Sequence, residues 1–378
     1  MSLTLGIPAE TQPGETRVAM TPDVVPRLLR SEVQVRLEAG AGTAAQYADE
    51  AFVAQGAEVA DRQAVYAADV IAKVQPPTDE EVARMHTGQV LISFLAPLDD
   101  PSRAERLAAQ GVTALSLELV PRISRAQKMD ALSAMSGVAG YKAVLMAANL
   151  LPRFFPLLTT AAGTVKPANV LVLGAGVAGL QAIATAKRLG ARVSAYDIRE
   201  AAREEIQSLG GTFVELPLGL DDDQQDAGGY AKALMAEKAK RQTELLVPFI
   251  HNADVVVSTA LIPGRPAPVL INEEAVRGMA PGSVIVDMAA PNGGNCALTE
   301  PGETVTAHGV QITGPLNVPA LMPYHASQLY ARVIMAMVQA YTTETGFHPD
   351  FEDEVFRGAC VTHGGEIVHE RVRQRLEA

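Results

Sequence analysis

Short apolar runs alternate with stretches of helical character from the first residues of the chain onward. Runs rich in leucine and β-branched residues predict strands at 3–7, 33–37, 70–74, 90–95 and 113–119. Helical segments fit between them at 43–55, 78–86 and 101–109. Thr21-Pro22 predicts a further helix start, because the threonine hydroxyl can accept bonds from free amides and proline suits the first turn. This alternation is typical of a parallel sheet flanked by helices.

A second series of apolar runs begins near Ala168. It predicts strands at 170–173, 192–196, 255–258, 283–288 and 310–312. Two long segments, 129–150 and 323–341, have the apolar spacing of helices and would carry the chain out of the first sheet and back to it. The sequence therefore predicts a discontinuous first domain, 1–130 plus 326–378, and a second domain, 131–325.

The composition is that of an ordinary globular protein, with 48% hydrophobic and 20% charged residues among 378. A net charge of -12 without a lysine and arginine cluster argues against binding to nucleic acid or to an anionic membrane surface. Neither Cys296 nor Cys360 has a partner at disulfide or zinc spacing, and the seven histidines are scattered, so we expect no metal site. With no basic leader and no apolar run of about 18 residues, we expect a cytoplasmic protein that does not insert into the membrane.

The sharpest motif is the run Gly174-Ala175-Gly176-Val177-Ala178-Gly179, which follows an apolar strand and precedes a helix. In such a motif the first glycine makes a tight turn, the second lets a diphosphate approach the backbone, and the third allows close packing of helix on strand. The helix N-terminus offers amides to the diphosphate. Asp197 ends the next strand, where a carboxylate binds the adenosine ribose and repels a 2′-phosphate. The sequence thus predicts an NAD(H) site, although Arg199 weakens the preference over NADP(H).

These signals together predict an α/β protein with two Rossmann-like parallel-sheet domains, separated by a cleft and linked by long helices. The first domain has no glycine fingerprint after any of its strands.

A polar group follows the last strand of the first domain and consists of Arg122, Arg125, Gln127 and Asp130. Open α/β sheets bind ligands at this edge, so the group is a candidate site. Alternatively, Asp130 caps the long helix and the arginines are solvated, and the sequence leaves both interpretations open. Arg17 and Lys73 also follow first-domain strands, where we expect surface cations.

An acidic segment from 218 to 229 carries four aspartates and leads into Gly228-Gly229-Tyr230. Its polarity and paired glycines predict a mobile loop. Tyr230 is then either a lid residue that closes on the cofactor or an exposed loop tyrosine.

Longer stretches carry a resemblance to a known family. GAGVAGLQAIATAKRLGARVSAYDIR at 174–199 and PRISRAQKMDALSAMSGVAGYKAV at 121–144 resemble the NAD(H)-binding component of proton-translocating NAD(P) transhydrogenase. The resemblance extends from IPAETQPGETRVAMTP at 7–22 through TALIPGRPAP at 259–268 to VIVDMAAPNGGN at 284–295. Alanine dehydrogenases are the wider relatives and share the element Arg17-Val18-Ala19.

The resemblance implies an activity: hydride transfer from NADH on this chain to NADP⁺ on a partner, coupled elsewhere to proton movement. It implies a homodimer that docks on an NADP(H)-binding beta subunit and a membrane-spanning subunit, peripheral on the inner face of the cytoplasmic membrane. The chain resembles the soluble half of a divided alpha subunit.

The resemblance also implies roles for individual residues. Arg122, Gln127, Asp130 and Ser133 would surround the nicotinamide and its ribose as the catalytic set. The cofactor-binding residues would be Arg122, Ile123, Ser124, Gln127, Lys128, Met129, Asp130, Gly174, Gly176, Val177, Ala178, Gly179, Asp197, Ile198, Arg199, Gly229, Tyr230, Gln242 and Leu261.

Two departures separate the chain from alanine dehydrogenases. Ala96 stands where those enzymes carry a catalytic histidine, and Pro291-Asn292 stands where they carry an aspartate before the glycine pair. Amino-acid oxidation needs acid–base catalysis, whereas hydride transfer between nicotinamides needs apposed rings and exclusion of water. Arg17 and Lys73 match pyruvate-binding positions and indicate a vestigial pocket. An alanine-dehydrogenase-like enzyme and a non-catalytic NAD(H) sensor are the alternatives.

Overall fold

The computed structural model describes residues 3–217, 229–261 and 264–377. The strands are, in chain order, β1 (Leu3–Ile7), β2 (Val33–Glu38), β3 (Glu58–Ala60), β4 (Val70–Ala72), β5 (Val90–Ser93), β6 (Thr113–Ser116), β7 (Leu158–Thr160), β8 (Gly163–Val165), β9 (Asn169–Leu173), β10 (Arg192–Tyr196), β11 (Thr212–Phe213), β12 (Val255–Ser258), β13 (Val284–Asp287), β14 (Thr304–Ala307), β15 (Val310–Thr313), β16 (Thr342–Thr343), β17 (Gly346–Phe347), β18 (Cys360–His363) and β19 (Glu366–Ile367).

The α-helices are α1 (Val25–Arg30), α2 (Asp49–Val53), α3 (Arg62–Tyr66), α4 (Asp79–Ala83), α5 (Ser102–Ala109), α6 (Ala131–Leu150), α7 (Val177–Arg188), α8 (Ala202–Ser208), α9 (Gly229–His251), α10 (Glu273–Arg277), α11 (Pro323–Ala340), α12 (Glu354–Ala359) and α13 (Glu370–Glu377). Short 3-10 helices lie at Pro22–Val24, Thr43–Ala45, Leu117–Leu119, Ser124–Met129, Ala290–Asn292 and Val318–Leu321.

The chain divides into two compact units, and we call Met1–Met135 with Pro319–Ala378 the first unit and Ser136–Val318 the second unit. The predicted division at 130/131 and 325/326 stays a prediction about independently folding domains.

In the first unit an eight-stranded sheet has the order β19-β18-β6-β5-β4-β1-β2-β3. Strands β1 to β6 pair in parallel, and β18 and β19 add an antiparallel edge. The strand order reverses between β1 and β4, which makes this the point where a doubly wound sheet opens a crevice. A core on one face packs Ile71, Leu91 and Leu107 together, all fully buried.

In the second unit a seven-stranded sheet has the order β11-β10-β9-β12-β13-β15-β14, and the strand order reverses between β9 and β12. Alternate residues of β9 enter two separate cores: Val170 and Val172 pack on one face, and Leu171 and Leu173 on the other. A sheet covered on both faces needs apolar residues at every strand position, which explains the continuous apolar runs of the sequence. Each such fully buried side chain stabilises the unit by roughly 1.5–3 kcal/mol.

The α/β prediction with parallel Rossmann-like sheets is confirmed. The strand ends differ most after β6, because the predicted strand 113–119 ends at Ser116 and continues as a 3-10 helix. The predicted cap at Thr21 is wrong: the chain does turn into a 3-10 helix at Pro22, but the Thr21 hydroxyl donates to Asp23 at 2.7 Å and no side chain caps the amides.

Helix α6 begins in the first unit and continues in the second, close to the predicted segment 129–150. In the described ranges it is the one helix long and apolar enough to span a membrane, although the sequence was expected to contain no such apolar run. This is weak evidence for a span, because the core helix of a soluble protein passes the same test. Ala143, Val144 and Ala147 of this helix are fully buried in the second unit's core.

Candidate functional site

The glycine turn lies at the point where the strand order of the second unit reverses. It follows β9, and Gly174 has φ +93°, a conformation that glycine adopts without strain. A Cβ on Gly179 would lie 1.9 Å from the Gly174 carbonyl oxygen, so only glycine lets α7 start this close to the strand. A Cβ on Gly176 would meet nothing within 4 Å, which leaves open space beside the backbone. No side chain caps the N-terminus of α7.

Asp197 follows β10 and contacts the same turn. Its carboxylate accepts a bond from the Ala175 amide at 2.7 Å and from the Arg199 amide at 2.8 Å. The Arg199 guanidinium pairs with it at 3.0 Å, so this cation is engaged by Asp197 in the second unit. Burial raises the pKa of Asp197, but the bonds from Arg199 and the two amides outweigh burial and lower the pKa below its ordinary value. The carboxylate is therefore ionised at neutral pH.

Three apolar side chains are exposed in the segments that meet at this turn: Val177 in the turn itself, Ile198 directly after Asp197, and Leu261 two residues after Thr259. Leu261 follows Thr259, whose hydroxyl donates to the Gly174 carbonyl at 3.0 Å. The two aliphatic residues next to the turn and to Asp197 are 47% and 69% exposed, an arrangement suited to an apolar ring.

Three other predicted residues of the second unit, Gln242, Gly229 and Tyr230, lie on α9. Gln242 lies on α9 near the buried hydroxyl of Tyr196. Gly229 and Tyr230 begin α9, and the acidic residues 218–228 lie outside the described part of the chain.

The polar group of the first unit follows β6 on a 3-10 helix, Ser124–Met129. Arg122, Ser124, Gln127 and Lys128 are exposed, and Ile123 and Met129 are half-buried. Asp130 caps α6: it accepts bonds from the Ser133 amide at 2.8 Å and from the Ser133 hydroxyl at 2.5 Å. The capping interpretation of Asp130 therefore holds, and it fixes Ser133 beside the loop.

Arg125 belongs to the same polar group in the sequence, but its side chain binds Asp353 of the first unit. Its guanidinium makes two bonds to Asp353, at 2.6 and 2.9 Å. The Arg125 side chain is also 51% exposed, as the alternative with solvated arginines expects, and its ion pair links the loop to the start of α12.

The expectation that Arg17 and Lys73 are surface cations is also wrong. Arg17 is 4% exposed and Lys73 is fully buried. Arg17 forms a two-bond pair with Glu15, at 2.7 and 2.5 Å. Lys73, directly after β4, contacts Glu81 at 3.0 Å and Glu10 at 3.3 Å. Burial of these cations is possible because carboxylates neutralise them.

We call Glu10, Glu15, Arg17, Lys73 and Glu81 the buried charge cluster. Gln75 joins its halves, because its side chain donates to Glu15 at 2.7 Å while its amide donates to Glu10 at 3.2 Å. The cluster lies at the carboxyl ends of β1 and β4, where the strand order of the first unit reverses. This position holds charges in place of a glycine turn.

The carboxylates of the buried charge cluster titrate in different directions. Burial raises the pKa of Glu15, but the bonds and charge of Arg17 outweigh it and lower the pKa to about 2. Burial likewise raises the pKa of Glu81, and Lys73 with the Thr78 amide reverses the direction. For Glu10, burial outweighs Lys73 and the pKa is raised.

Ala96 lies three residues past the end of β5 with φ +45°, which is uncommon for a residue with a side chain. Glu118 holds this turn by accepting bonds from the Leu95 amide at 3.0 Å and the Ala96 amide at 2.8 Å. The Ala96 side chain carries no group that can transfer a proton.

Two family models match the chain. The N-terminal domain of "Alanine dehydrogenase/PNT" matches residues 6–139, and the C-terminal domain matches residues 143–370. The chain belongs to the alanine dehydrogenase/PNT family. The family resemblance drawn from the sequence is thereby confirmed.

Within the alanine dehydrogenase/PNT family the chain is similar to transhydrogenase components and, at lower identity, to an alanine dehydrogenase. It is 47% identical over 375 residues to the first section of the divided NAD(P) transhydrogenase subunit alpha of Rhodospirillum rubrum, covering 97% of each chain. A solved transhydrogenase structure from Sinorhizobium meliloti superposes with a TM-score of 0.85 at 38% identity, covering 97% of this chain and 99% of that one. Alanine dehydrogenase of Bacillus subtilis is 28% identical, covering 98% and 94% of the two chains.

The sequence analysis did not identify three polar residues that bond to the loops around the glycine turn: Thr259, Asp287 and Asn295. Asp287 and Asn295 are fully buried and bonded mainly to backbone groups, for which no spacing rule exists. The one sequence signal for Asp287 is a charged residue at the end of an apolar strand, where an unpaired carboxylate is costly. Asn295 lies in the loop after this strand and has no such signal.

Proposed function

We propose that the chain binds NAD(H) on its second unit and transfers hydride from NADH to NADP⁺ held by a partner subunit. The observation that carries this proposal is the glycine turn at the reversal point of the sheet, with Asp197 ionised beside it, in a chain whose nearly full-length relative is a transhydrogenase subunit. The proposal assigns NADH the role of substrate.

The second unit supports an NAD(H) site in several ways. The space beside Gly176 and the uncapped start of α7 suit a diphosphate, because backbone amides and the helix dipole attract negative charge. Asp197 would accept bonds from the adenosine ribose. Val177 and Gly179 would contact the diphosphate, and Ile198 and Arg199 would line the adenosine end with Asp197. Ala178, Gln242 and Leu261 would lie beside the cofactor. Gly229 and Tyr230 would belong to the segment that closes on the nucleotide.

The polar loop of the first unit would bind the nicotinamide end. Arg122, Gln127, Asp130 and Ser133 are proposed to orient the ring and its ribose, with Ile123, Ser124, Lys128 and Met129 completing the contact. The Asp130–Ser133 bonds support this, since they fix the two side chains at the start of α6. The residues would position the ring and exclude water, because the hydride itself is supplied by NADH.

The partners follow from the relatives' names and from the family resemblance. We propose a homodimer that associates with an NADP(H)-binding beta subunit and a membrane-spanning subunit, on the inner face of the cytoplasmic membrane. Proton translocation would belong to the assembled complex. A difference between the two units supports binding of one nucleotide by this chain. In the described residues a glycine turn lies at the reversal point of the second sheet, whereas the buried charge cluster lies at that of the first.

Alanine dehydrogenase activity is the second candidate, favoured by the retained Arg17 and Lys73. Two observations weigh against it. Ala96 supplies no acid or base where the dehydrogenases carry histidine. Both cations of the vestigial pocket are already paired with carboxylates of this chain, so a substrate carboxylate would compete with buried ion pairs.

Two assays on the purified chain test the proposal. NADH should bind in a direct titration, and L-alanine should not reduce NAD⁺ in the absence of partner subunits. Alanine-dependent reduction of NAD⁺ would make the chain an alanine dehydrogenase instead, and failure to bind NADH would remove both candidates.

A further inference from the structure

Asp287 is a fully buried carboxylate at the carboxyl end of β13. Its first oxygen accepts bonds from the Ser258 hydroxyl and the Ala289 amide, both at 3.0 Å. Its second oxygen accepts bonds from the amides of Asn295 and Cys296 at 2.8 and 2.9 Å, and from the Thr299 hydroxyl at 2.7 Å. Five donors converge on this side chain, so it gathers the segment 289–299 over the end of the strand.

Asn295 extends this network to another segment. Its side-chain oxygen accepts a bond from the Ala260 amide at 3.1 Å, and its side-chain nitrogen donates to the carbonyls of Ala260 and Pro268 at 2.9 and 2.8 Å. The Ala267 amide also donates to the Asn292 carbonyl at 2.8 Å. Ala260, Ala267 and Pro268 are therefore bonded to the loop 289–299 that Asp287 holds.

The tied segment reaches the glycine turn directly. Ser258 is aligned with Asp287 on one side and with Leu173 on the other, so the three strand ends lie at one level of the sheet. Thr259 donates from its hydroxyl to the Gly174 carbonyl at 3.0 Å, and from its amide to Leu173 at 2.8 Å. Hydrogen bonds thus run from Asp287 through Asn295 to Ala260, and the neighbouring Thr259 bonds to the glycine turn.

We infer that Asp287 and Asn295 are positioning residues of the nucleotide site, which fix Thr259 and Ala260 against the glycine turn before the nucleotide binds. The inference rests on the proposed function. Neither side chain would touch the nucleotide, because both are fully buried. Their effect is on the population of the binding-competent segment, and affinity falls in proportion when that population falls.

The variant Asp287→Asn tests this role against a matched control. Asparagine keeps the shape but turns one acceptor into a donor. In either orientation this donor faces a backbone amide, that of Ala289 on one side or those of Asn295 and Cys296 on the other. We expect NADH affinity in a titration to fall about tenfold or more. With partner subunits present, the NADH KM should rise while kcat at saturating NADH changes by less than about threefold. Affinity within about twofold of wild type in folded protein would overturn the inference.

Asp254→Asn is the control for general destabilisation. Asp254 directly precedes β12, the strand next to β13, at the amino ends of the strands, and it accepts a bond from the Asn169 amide at 2.9 Å. It should lower the melting temperature but leave NADH affinity unchanged. Equal loss of affinity in both Asp→Asn variants would mean that Asp287 acts through stability alone and would contradict the inference.

If Asp287→Asn does not fold, two further experiments test the inference: the variant Asn295→Ala, and hydrogen exchange on the wild-type chain. The alanine variant removes the three bonds to 260–268 and should also weaken NADH binding. In nucleotide-free wild-type protein, hydrogen exchange at the Ala260 amide should be slow, because this amide is bonded to Asn295. Fast exchange there would overturn the inference even though wild-type NADH binding, and with it the proposed function, stands.

Discussion

At the scale of single residues, Asp197 combines two tasks that a sequence motif describes as one. The carboxylate holds the glycine turn through the Ala175 amide, and it holds Arg199 through both backbone and side-chain bonds. Arg199 is thereby directed toward Asp197, which reduces its value as a partner for a 2′-phosphate. Asp197 would therefore use its two carboxylate oxygens both to fix the turn and to select NAD(H) over NADP(H).

Asp197→Ala is accordingly expected to weaken NADH binding by about 1.5–3 kcal/mol, because charge-assisted bonds to the ribose are lost. An equilibrium titration of the purified chain measures this. Glu200→Ala is the control, since Glu200 is a nearby exposed carboxylate paired with Arg203 at 2.6 Å. If Asp197→Ala binds NADH as tightly as the Glu200 variant, the adenosine site lies elsewhere.

At the scale of elements, the turn between β9 and α7 separates two kinds of glycine. Gly179 is constrained by the Gly174 backbone, whereas Gly176 faces open space with φ -72°, which an alanine can adopt. The motif predicts a diphosphate-binding role for the second glycine and a packing role for the third. The close contact at Gly179 agrees with the packing role, and the open space at Gly176 suits the proposed diphosphate.

Gly176→Ala should therefore keep the wild-type melting temperature and yet lower NADH affinity by about tenfold or more, because the methyl group would occupy the proposed diphosphate position. Gly179→Ala should lower the melting temperature, since α7 must move away from β9; such overpacking costs about 1–3 kcal/mol or more. Thermal unfolding and titration on both variants give the answer. Wild-type NADH affinity in Gly176→Ala would show that no diphosphate lies there.

The pair of Glu15 and Arg17 makes a prediction about acid stability. The pKa of Glu15 is lowered from 4.5 to about 2, so its contribution is complete above the unfolded value and is lost as pH falls through that window. From about pH 5 to about pH 3, Glu15→Gln should lose roughly 2 kcal/mol less unfolding free energy than wild type.

Denaturant unfolding across this range measures the difference, and Glu58→Gln serves as control because Glu58 forms an exposed pair with Arg36 at 2.9 Å. Parallel pH profiles for wild type and Glu15→Gln would contradict the assignment of acid sensitivity to this pair.

Strands with continuous apolar runs were predicted accurately from the sequence, whereas a short edge strand and a buried charge were not. Strands β1, β10 and β12 agree with the predicted ranges because each is buried by the sheet. The short edge strand β3 was missed because it carries few apolar positions to read. Burial of Lys73 was missed because its partner Glu10 lies far away in the sequence, and no local pattern reports a contact made by folding.

At the scale of the whole molecule, the two units share a doubly wound strand order but differ at the reversal point. In the second unit the glycine turn there leaves space beside the backbone, whereas in the first unit the same place is filled by ion pairs. This difference between the two reversal points agrees with the proposed function, in which this chain binds NADH alone.

Isotope transfer between the two nucleotides decides whether this chain is a hydride donor for a partner. NADH carrying deuterium at the transferable C4 position is mixed with the chain, its NADP(H)-binding partner and NADP⁺, and the reduced product is analysed for the label. We expect deuterated NADPH, formed only when both proteins are present. Absence of label transfer by the mixture, together with NAD⁺ reduction by L-alanine on the chain alone, would contradict the proposed function.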